Sequence, residues 1–199
     1  MATSDTLASD SSASDSPAPV TPLDTGAEAT KHSLISDARR QQLTEQRDAL
    51  RSAHLVAKDR RPASSARGVH HVALISADVE ATINFYQGLL EFPLTEIFEN
   101  RDLAGSTHFF FDIGNGNLLA FFDLPGVNAG SYAEVLGGLH HLAISVEPDR
   151  WVHLRHKLDA AQVPYLHHSG SSLYLNDPDG ARIELISDPL LNMYGAQVG

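Results

Sequence analysis

The amino-acid sequence predicts an α+β domain made of two copies of one strand–helix–three-strand unit. The first copy opens with GVHHVALI at residues 68–75, and the second opens with GLHHLAIS at residues 138–145, an offset of 70 residues. Each opening is a short apolar run typical of a β-strand, and each is followed by a helix-like stretch and then by strand-like segments. An internal duplication therefore explains most of the chain after residue 68.

The individual elements of each unit follow from local patterns. In the first unit Asp78 is placed to cap a helix whose apolar face contains Val79, Ile83, Tyr86 and Leu90. The helix of the second unit begins near Asp149 and carries Trp151, Leu154 and Leu158 on one face. Strands are predicted at 107–113, 117–123, 171–176 and 181–186, while the second strand of each unit is weakly marked. The sequence DPDG at 177–180 predicts the turn of a final hairpin.

Two segments precede the duplicated domain. Residues 1–30 are rich in Ser, Ala, Asp, Thr and Pro, and we expect a disordered acidic tail because such a segment buries too little apolar surface. Residues 31–67 are predicted to be a helical appendage and linker, packed on the main domain through a thin stripe of Leu34, Leu43, Leu50 and Leu55. The domain itself is predicted at 68–190, with units at about 68–125 and 138–188.

Composition and charge exclude several classes of function. The 199 residues have a formal charge of −11, which argues against a nucleic-acid partner because phosphate binding needs clustered Lys and Arg. We expect a cytoplasmic protein without a membrane partner, since neither a membrane-spanning apolar run nor a secretory signal is found. There is no cysteine, so any transition metal must be bound by imidazole and carboxylate groups.

The repeated histidine pairs and Glu184 indicate a metal site. Side chains alternate along a strand, so the two histidines of each pair are expected to point in opposite directions, with one facing the inside of a curved sheet. The inward histidines of two paired units would then approach each other. Glu184 lies among apolar residues, where a carboxylate is costly unless it is paired or bound to a cation. A solvated face shared by Glu184 and Arg182 stays open as the alternative at this point.

From Gly68 to about Pro189 the chain resembles the vicinal oxygen chelate superfamily, which includes glyoxalases, bleomycin-resistance proteins, fosfomycin thiol transferases and type I extradiol dioxygenases. The stretches that carry the resemblance are GVHHVALISADVEATINFYQGLL, GLHHLAISV and LYLNDPDGARIEL. The resemblance implies two paired βαβββ units that form a half-open barrel around one metal. It also implies that the metal ligands are His71, His141 and Glu184.

The branch within this superfamily is indicated by what the sequence lacks. Glyoxalase I commonly has a fourth, carboxylate ligand on the last strand of its first unit, where this chain has Ala120. Fosfomycin thiol transferases act on a phosphonate, which requires several cations, but Arg182 is the only basic side chain, histidines aside, between Leu158 and Gly199. Such a transferase remains one alternative. A non-catalytic ligand-binding protein of the bleomycin-resistance type is the other, and it leaves the three metal ligands unexplained.

The resemblance therefore favours a one-domain extradiol dioxygenase, like those that act on biphenyl-2,3-diol. It implies Fe(II), with Mn(II) as an alternative, small aromatic diols and dioxygen as substrates, and a homo-oligomer. Tyr174 would donate a hydrogen bond to the catechol, and His167 or His168 would transfer protons, because the spacing from His167 through Tyr174 to Glu184 resembles the pattern of that branch. Asn117 is aligned where many members have a further histidine, and an amide cannot shuttle a proton.

Aromatic residues of the first unit are predicted to contribute to the pocket wall. Phe109–Phe111 and Phe121–Phe122 lie in two predicted strands, and alternation lets only some of them face inward. The inward ones suit an aromatic or bicyclic catechol. His108 lies beside them without an assigned role, while His153 and His156 are expected to be solvated.

Overall fold

The computed structural model describes residues 35–127, 129–193 and 195–198, so the tail predicted at 1–30 lies outside the described residues. Helix α1 spans Asp37–His54 and a short 3₁₀ turn spans Lys58–Arg60. The first unit then contains β1 (His71–Ser76), α2 (Val79–Ile83, continued by a π-helical segment Asn84–Leu89), β2 (Leu94–Glu99), β3 (Thr107–Asp112) and β4 (Leu118–Asp123). The second contains β5 (Leu142–Ser145), α3 (Pro148–Ala160), β6 (Tyr165–His168), β7 (Ser172–Asn176) and β8 (Arg182–Ile186). A small hairpin, β9 (Asn192–Met193) with β10 (Ala196–Gln197), follows.

The two units have the same topology, which confirms the predicted α+β fold of two βαβββ units. The strand order is β1-β4-β3-β2 in the first sheet and β5-β8-β7-β6 in the second. In each sheet the opening strand is parallel to the last strand, and the remaining neighbours are antiparallel. The opening strands are therefore edge strands: β1 begins at the second histidine of its pair, and β5 begins just after its pair.

Each sheet buries the face that its helix covers. Asp78 caps α2 as predicted, its carboxylate accepting a hydrogen bond from the Ala81 N–H at 3.0 Å. The predicted apolar face of α3 is buried, and the Trp151 indole N–H donates to the Leu185 carbonyl at 2.9 Å. Together the helices and the helix-facing side chains of both sheets form one apolar core, which includes Tyr86, Phe109, Phe111, Phe121, Leu158, Leu173 and Leu185. The opposite faces of the sheets do not belong to this core.

A buried polar contact joins the two units. The Tyr86 hydroxyl of the first unit donates to an Asp177 carboxylate oxygen at 2.9 Å. Asp177 opens the predicted DPDG turn, and its other oxygen accepts the backbone N–H groups of Asp179 and Ala181. Burial raises the pKa of Tyr86, and the nearby Asp177 charge adds to the increase. Burial also raises the pKa of Asp177. The turn before β8 is thus held against the helix of the first unit.

A second, more exposed contact joins the units through Glu91. Its carboxylate lies within 2.9 Å of both the His153 imidazole and the Lys157 ammonium, and it also accepts from the Arg150 guanidinium. Hydrogen bonds from His153 and Lys157 lower the pKa of Glu91 to about 2. His153 is thus a hydrogen-bond partner of Glu91 on the surface of α3.

The prediction that helix α1 packs on the main domain is wrong for the described residues. None of the helix residues is buried, and Leu50 is 52% exposed. The apolar stripe is too thin, because Leu43 and Leu50 stand alone on a surface of Arg, Gln and Asp; Leu34 lies outside the described residues. The helix relies on local contacts, including a Ser36 cap and an Arg40–Asp37 ion pair at 2.6 Å. No helix in the described part of the chain has the length and hydrophobicity needed to cross a membrane.

Candidate metal centre

The open face of the second sheet gathers several predicted site residues. The strand register pairs Ala143 with Glu184 and Glu184 with Tyr174, so these three side chains share one face. His141, just before β5, contacts the same face: its ring lies edge-on to the Tyr174 ring, with centroids 5.6 Å apart. We call this surface of β5–β8 the second site face.

His141 and Glu184 form the centre of this face. The His141 Nε2 atom lies 3.0 Å from Glu184 Oε2, and the Ser172 hydroxyl donates to Glu184 Oε1 at 2.6 Å. Glu184 is only 5% exposed. A carboxylate this buried needs a cation or strong hydrogen-bond donors, and the alternative of a solvated Glu184 beside Arg182 is therefore excluded.

The two histidines of each pair do not point in opposite directions, contrary to the prediction. The Nδ1 atoms of His70 and His71 are 2.9 Å apart, and those of His140 and His141 are 2.6 Å apart. Alternation applies within a strand, but β1 begins only at His71 and β5 only after His141. The preceding histidine is free to turn toward its neighbour. In the second pair this contact orients the His141 ring so that Nε2 faces Glu184.

His71 lies on the other sheet, on a face that we call the first site face. By register it shares this face with Ala73, Ala120 and Phe110, and its ring is 6.4 Å from the Phe110 ring. Across residues 35–127, 129–193 and 195–198, no group of three His, Cys, Asp or Glu side chains is close enough to hold a metal ion. A single chain therefore joins His141 to Glu184 but does not bring His71 to them.

Strand parity separates the two candidate proton-transfer residues. His168 pairs with Ser172 in the register, so it lies on the second site face, with its ring 6.3 Å from that of Tyr174. His167 lies on the opposite face, where its ring contacts Trp151 of α3 at 5.5 Å. The local spacing used in the sequence could not distinguish these two residues. Of the pair, His168 is the one placed beside Tyr174.

The structure also shows where the two positions lie that the sequence analysis used to separate the branches of the resembled superfamily, Ala120 and Asn117. Ala120 lies on the first site face directly beside Ala73, where a methyl group cannot bind a metal. Asn117 lies in the turn that connects β3 and β4, with backbone hydrogen bonds to Gly114 and Ile113. The aromatic residues divide as alternation requires. Phe110 and Phe122 lie on the first site face, while Phe109, Phe111 and Phe121 are fully buried in the core.

His108 is a residue of the first site face that received no role from the sequence. Its ring stacks on Phe122 with centroids 3.8 Å apart, and burial, with a smaller contribution from His71, lowers its pKa. Its Nε2 atom is the one buried side-chain nitrogen or oxygen in the described part of the chain without a hydrogen-bond partner. The sequence did contain a signal for this placement. His108 and Phe109 are neighbours in a predicted strand, so with Phe109 in the core His108 has to face the opposite side.

The positive charge of Arg182 on the second site face is compensated by a carboxylate. Arg182 precedes Glu184 by two residues and lies on the same face, but its guanidinium pairs with Glu134 at 3.2 Å. Glu134 also lies 3.9 Å from His140 Nε2. The arginine that the sequence singled out is thus engaged by a carboxylate of the segment connecting the two units.

A cavity of about 800 Å³ lies farther along β1, beyond the histidine pair. It is bounded by residues 73–77, by Asp123 at the end of β4, by the connecting residues 124–127 and 129–132, and by Asp179 and Ala181 just before β8. His71, His141, Glu184 and Tyr174 do not line it. The cavity follows the edge strand and lies apart from the His141–Glu184 pair.

The donor groups fit a divalent transition metal. Imidazole nitrogen and carboxylate oxygen are ligands that Fe(II), Mn(II) and Zn(II) accept. His141 and Glu184 already converge to 3.0 Å, and no Lys or Arg side chain of the described residues pairs with the buried Glu184. The pair thus supplies two of three predicted ligands, and His71 stands on the equivalent position of the duplicated unit.

Comparisons with known proteins agree with the fold. A family model described as "Glyoxalase/Bleomycin resistance protein/Dioxygenase superfamily" matches residues 68–185. The chain is 27% identical over 145 residues to a Bacillus subtilis (strain 168) protein named "Putative ring-cleaving dioxygenase MhqA"; the match covers 66% of this chain and 43% of that protein. The chain thus spans less than half the length of this relative.

Two solved structures are also similar. One is a "putative dioxygenase" from Bacillus subtilis subsp. subtilis str. 168, with a TM-score of 0.53 and 25% identity, covering 62% of this chain and 41% of that one. The other is a glyoxylase/bleomycin resistance protein/dioxygenase domain from Frankia sp. EAN1pec, with a TM-score of 0.53 and 20% identity, covering 61% and 92%. The second likeness shows the fold alone. Since the family match spans both units, this chain belongs to the glyoxalase/bleomycin resistance protein/dioxygenase (vicinal oxygen chelate) superfamily.

Proposed function

We propose that this protein is an Fe(II)-dependent extradiol dioxygenase that opens the ring of catechols, in particular aryl-substituted ones such as 2,3-dihydroxybiphenyl. The observation that carries the proposal is the buried Glu184 carboxylate, paired with His141 Nε2 at 3.0 Å and facing Tyr174. The relative named as a ring-cleaving dioxygenase supports the same reaction class.

A metal site with three protein ligands and no fourth one suits this reaction. His71, His141 and Glu184 would hold the metal, and Ala120 adds no ligand. Iron held by these residues would bind the catechol and activate dioxygen for ring cleavage. Both oxygen atoms enter the product, a muconic semialdehyde type of acid. Mn(II) fits the same ligands.

The other residues of the second site face position the substrate and move protons. The Tyr174 hydroxyl donates a hydrogen bond to a catechol oxygen, next to the His141 ring. His168, whose ring is 6.3 Å from the Tyr174 ring, accepts a proton from a catechol hydroxyl and later returns it to the product. His140 holds the His141 ring in the orientation that faces Glu184.

A second copy of the chain completes the metal site in this proposal. β1 carries His71 and β5 adjoins His141 and Glu184, and both are edge strands with unused backbone hydrogen-bonding groups. Pairing β1 of one copy with β5 of another extends the sheets into a half-open barrel and brings the three ligands together. A two-fold dimer has two such joints, and therefore two identical metal sites.

The charges of the site face favour a catechol over a phosphonate. A phosphonate dianion needs several cations, but the arginine of this face, Arg182, is already paired with Glu134. A catechol needs only the metal and a few hydrogen bonds. This argument counts against the thiol-transferase alternative.

The direct test is anaerobic reconstitution with Fe(II), followed by addition of 2,3-dihydroxybiphenyl and oxygen. We expect a yellow product and one mole of oxygen consumed per mole of diol. Glu184→Ala should lose both bound iron and turnover, while His156→Ala, an exposed histidine on α3, should keep both. Oxygen uptake that survives in Glu184→Ala contradicts the assigned site. Ligand binding without turnover on any catechol favours the binding-protein alternative.

A further inference from the structure

Ser172 contacts the buried Glu184 carboxylate, and the function proposed above gives this serine no role. Its hydroxyl oxygen lies 2.6 Å from Glu184 Oε1, and both side chains are buried. A carboxylate has no proton to donate, so the serine hydroxyl donates and Glu184 accepts. A short hydrogen bond to a charged acceptor is stronger than one between neutral groups. This contact is therefore able to hold the carboxylate in one orientation.

The two oxygen atoms of Glu184 face different strands. Oε1 accepts from Ser172 on β7, while Oε2 lies 3.0 Å from His141 Nε2, just before β5. Because β5 and β7 flank β8 on opposite sides, the carboxylate lies across its own strand, with one oxygen toward each neighbour. The last torsion of a glutamate side chain has broad preferences, so an outside contact is needed to fix it. The Ser172 hydroxyl supplies that contact and leaves Oε2 on the side of His141.

The first unit has the same two positions without this arrangement. By strand register, Ala120 of β4 corresponds to Glu184 of β8. In the same way His108 of β3 corresponds to Ser172 of β7. Ala120 offers no carboxylate, and the His108 Nε2 atom has no hydrogen-bond partner among the described residues. The hydroxyl donor thus occurs in the unit that has the carboxylate.

Resting on the metal centre of the function proposed above, we infer that Ser172 is a positioning residue that makes Glu184 bind the metal through Oε2 alone. Carboxylates bind metal ions through one oxygen or through both. Binding through both requires the metal to lie at similar distances from Oε1 and Oε2, but Ser172 draws Oε1 toward β7. Bound through one oxygen, Glu184 occupies one coordination position instead of two, which leaves one more for the substrate.

The test counts the water molecules on bound Mn(II), so that it does not depend on turnover. Water-proton relaxation, measured with Mn(II) bound to the full-length protein, reports how many waters exchange on the ion. Two imidazoles and one carboxylate oxygen leave three positions of an octahedral site to water, and a second carboxylate oxygen displaces one of these waters. We expect Ser172→Ala to retain Mn(II) but to lose about a third of the relaxation enhancement.

The matched control is Ser171→Ala. Ser171 lies in the turn just before β7 and contacts Ser187 through its backbone carbonyl, which the substitution keeps. This variant should give the wild-type enhancement. Ser172→Cys, which has a weaker donor of similar size, should change the enhancement in the same direction as Ser172→Ala. It takes the place of the alanine variant if circular dichroism shows that Ser172→Ala does not fold.

Three results overturn the inference: an unchanged enhancement without the Ser172 hydroxyl, an equal fall in Ser171→Ala, or complete loss of Mn(II) from folded Ser172→Ala. Failure of the metal site itself looks different, because wild type then binds no Mn(II), or Glu184→Ala binds it as well as wild type does. Either of those results overturns the site and the inference together. Absence of ring cleavage, with a water count that depends on Ser172, leaves the inference standing.

Discussion

Mixing two inactive variants tests whether two copies of the chain share each metal site. His71→Ala removes the ligand from the first unit, and Glu184→Ala removes a ligand from the second. If β1 of one copy joins β5 of the other, a dimer of the two variants has one site with both substitutions and one intact site. Each variant alone has no intact site, so activity can return only in the mixed dimer.

The expected magnitude follows from this geometry. Random pairing makes half of all dimers mixed, and half of the sites in a mixed dimer are intact, so a co-expressed mixture should regain about a quarter of wild-type sites. Purification through two different affinity tags isolates mixed dimers, which should bind about one iron per dimer. The assays are iron content and oxygen uptake with 2,3-dihydroxybiphenyl.

A control pair with both substitutions in the second unit sharpens the result. His141→Ala mixed with Glu184→Ala leaves every site of the mixed dimer defective, so no activity should return. If the His71→Ala and Glu184→Ala mixture stays inactive although mixed dimers form, the site is not shared between copies. A monomer of full activity refutes the arrangement as well.

Three further predictions concern the two contacts that join the units and the packing of the apolar core. Tyr86→Phe leaves the buried Asp177 carboxylate without its hydroxyl donor and should lower the free energy of unfolding in urea by about 1.5–3 kcal/mol; no change would mean that this contact does not hold the units together. Glu91 has a pKa lowered to about 2 in the folded chain, so its contribution is present above its ordinary pKa and is lost as the pH falls toward 2. Urea titrations between pH 5 and pH 2.5 should accordingly show a smaller acid loss of stability in Glu91→Gln than in wild type, and equal losses would contradict the pKa assigned to Glu91. Leu158→Ala opens a cavity in the core and should cost about 2–5 kcal/mol, measured by urea unfolding, with a value below 1 kcal/mol arguing against the burial of α3.

Local patterns were sufficient to predict the duplicated architecture. Three features made this possible: the offset of 70 residues, the Asp78 cap and the apolar face of α3. Each can be recognised from short stretches of sequence, because helix caps and amphipathic faces depend on neighbours a few positions away. The division of the phenylalanines also follows from local alternation, because β3 and β4 are regular strands. Helix α1 illustrates the reverse: the helix itself was predicted, but whether a surface exists to receive Leu43 and Leu50 is not a local property.

Both the sequence and the tertiary structure were needed to define the candidate site. The sequence alone identified Glu184 as a carboxylate in an apolar strand and linked it to a histidine pair. Only the tertiary structure placed His141 Nε2 3.0 Å from Glu184, because their separation depends on the pairing of β5 with β8. It also placed His168 beside Tyr174 and His167 against α3, since the strand register, and not spacing along the chain, decides which face a side chain occupies.

The sequence by itself thus determined two βαβββ units and the residue types able to bind one metal, because hydrophobic periodicity and turn chemistry act within each unit. What it left undetermined is how the units meet. The same unit can pair within one chain or between two, because both arrangements satisfy identical local preferences. The tertiary structure decided that the two units of one chain join through Tyr86 with Asp177 and through Glu91 with α3, with His71 held apart from His141 and Glu184.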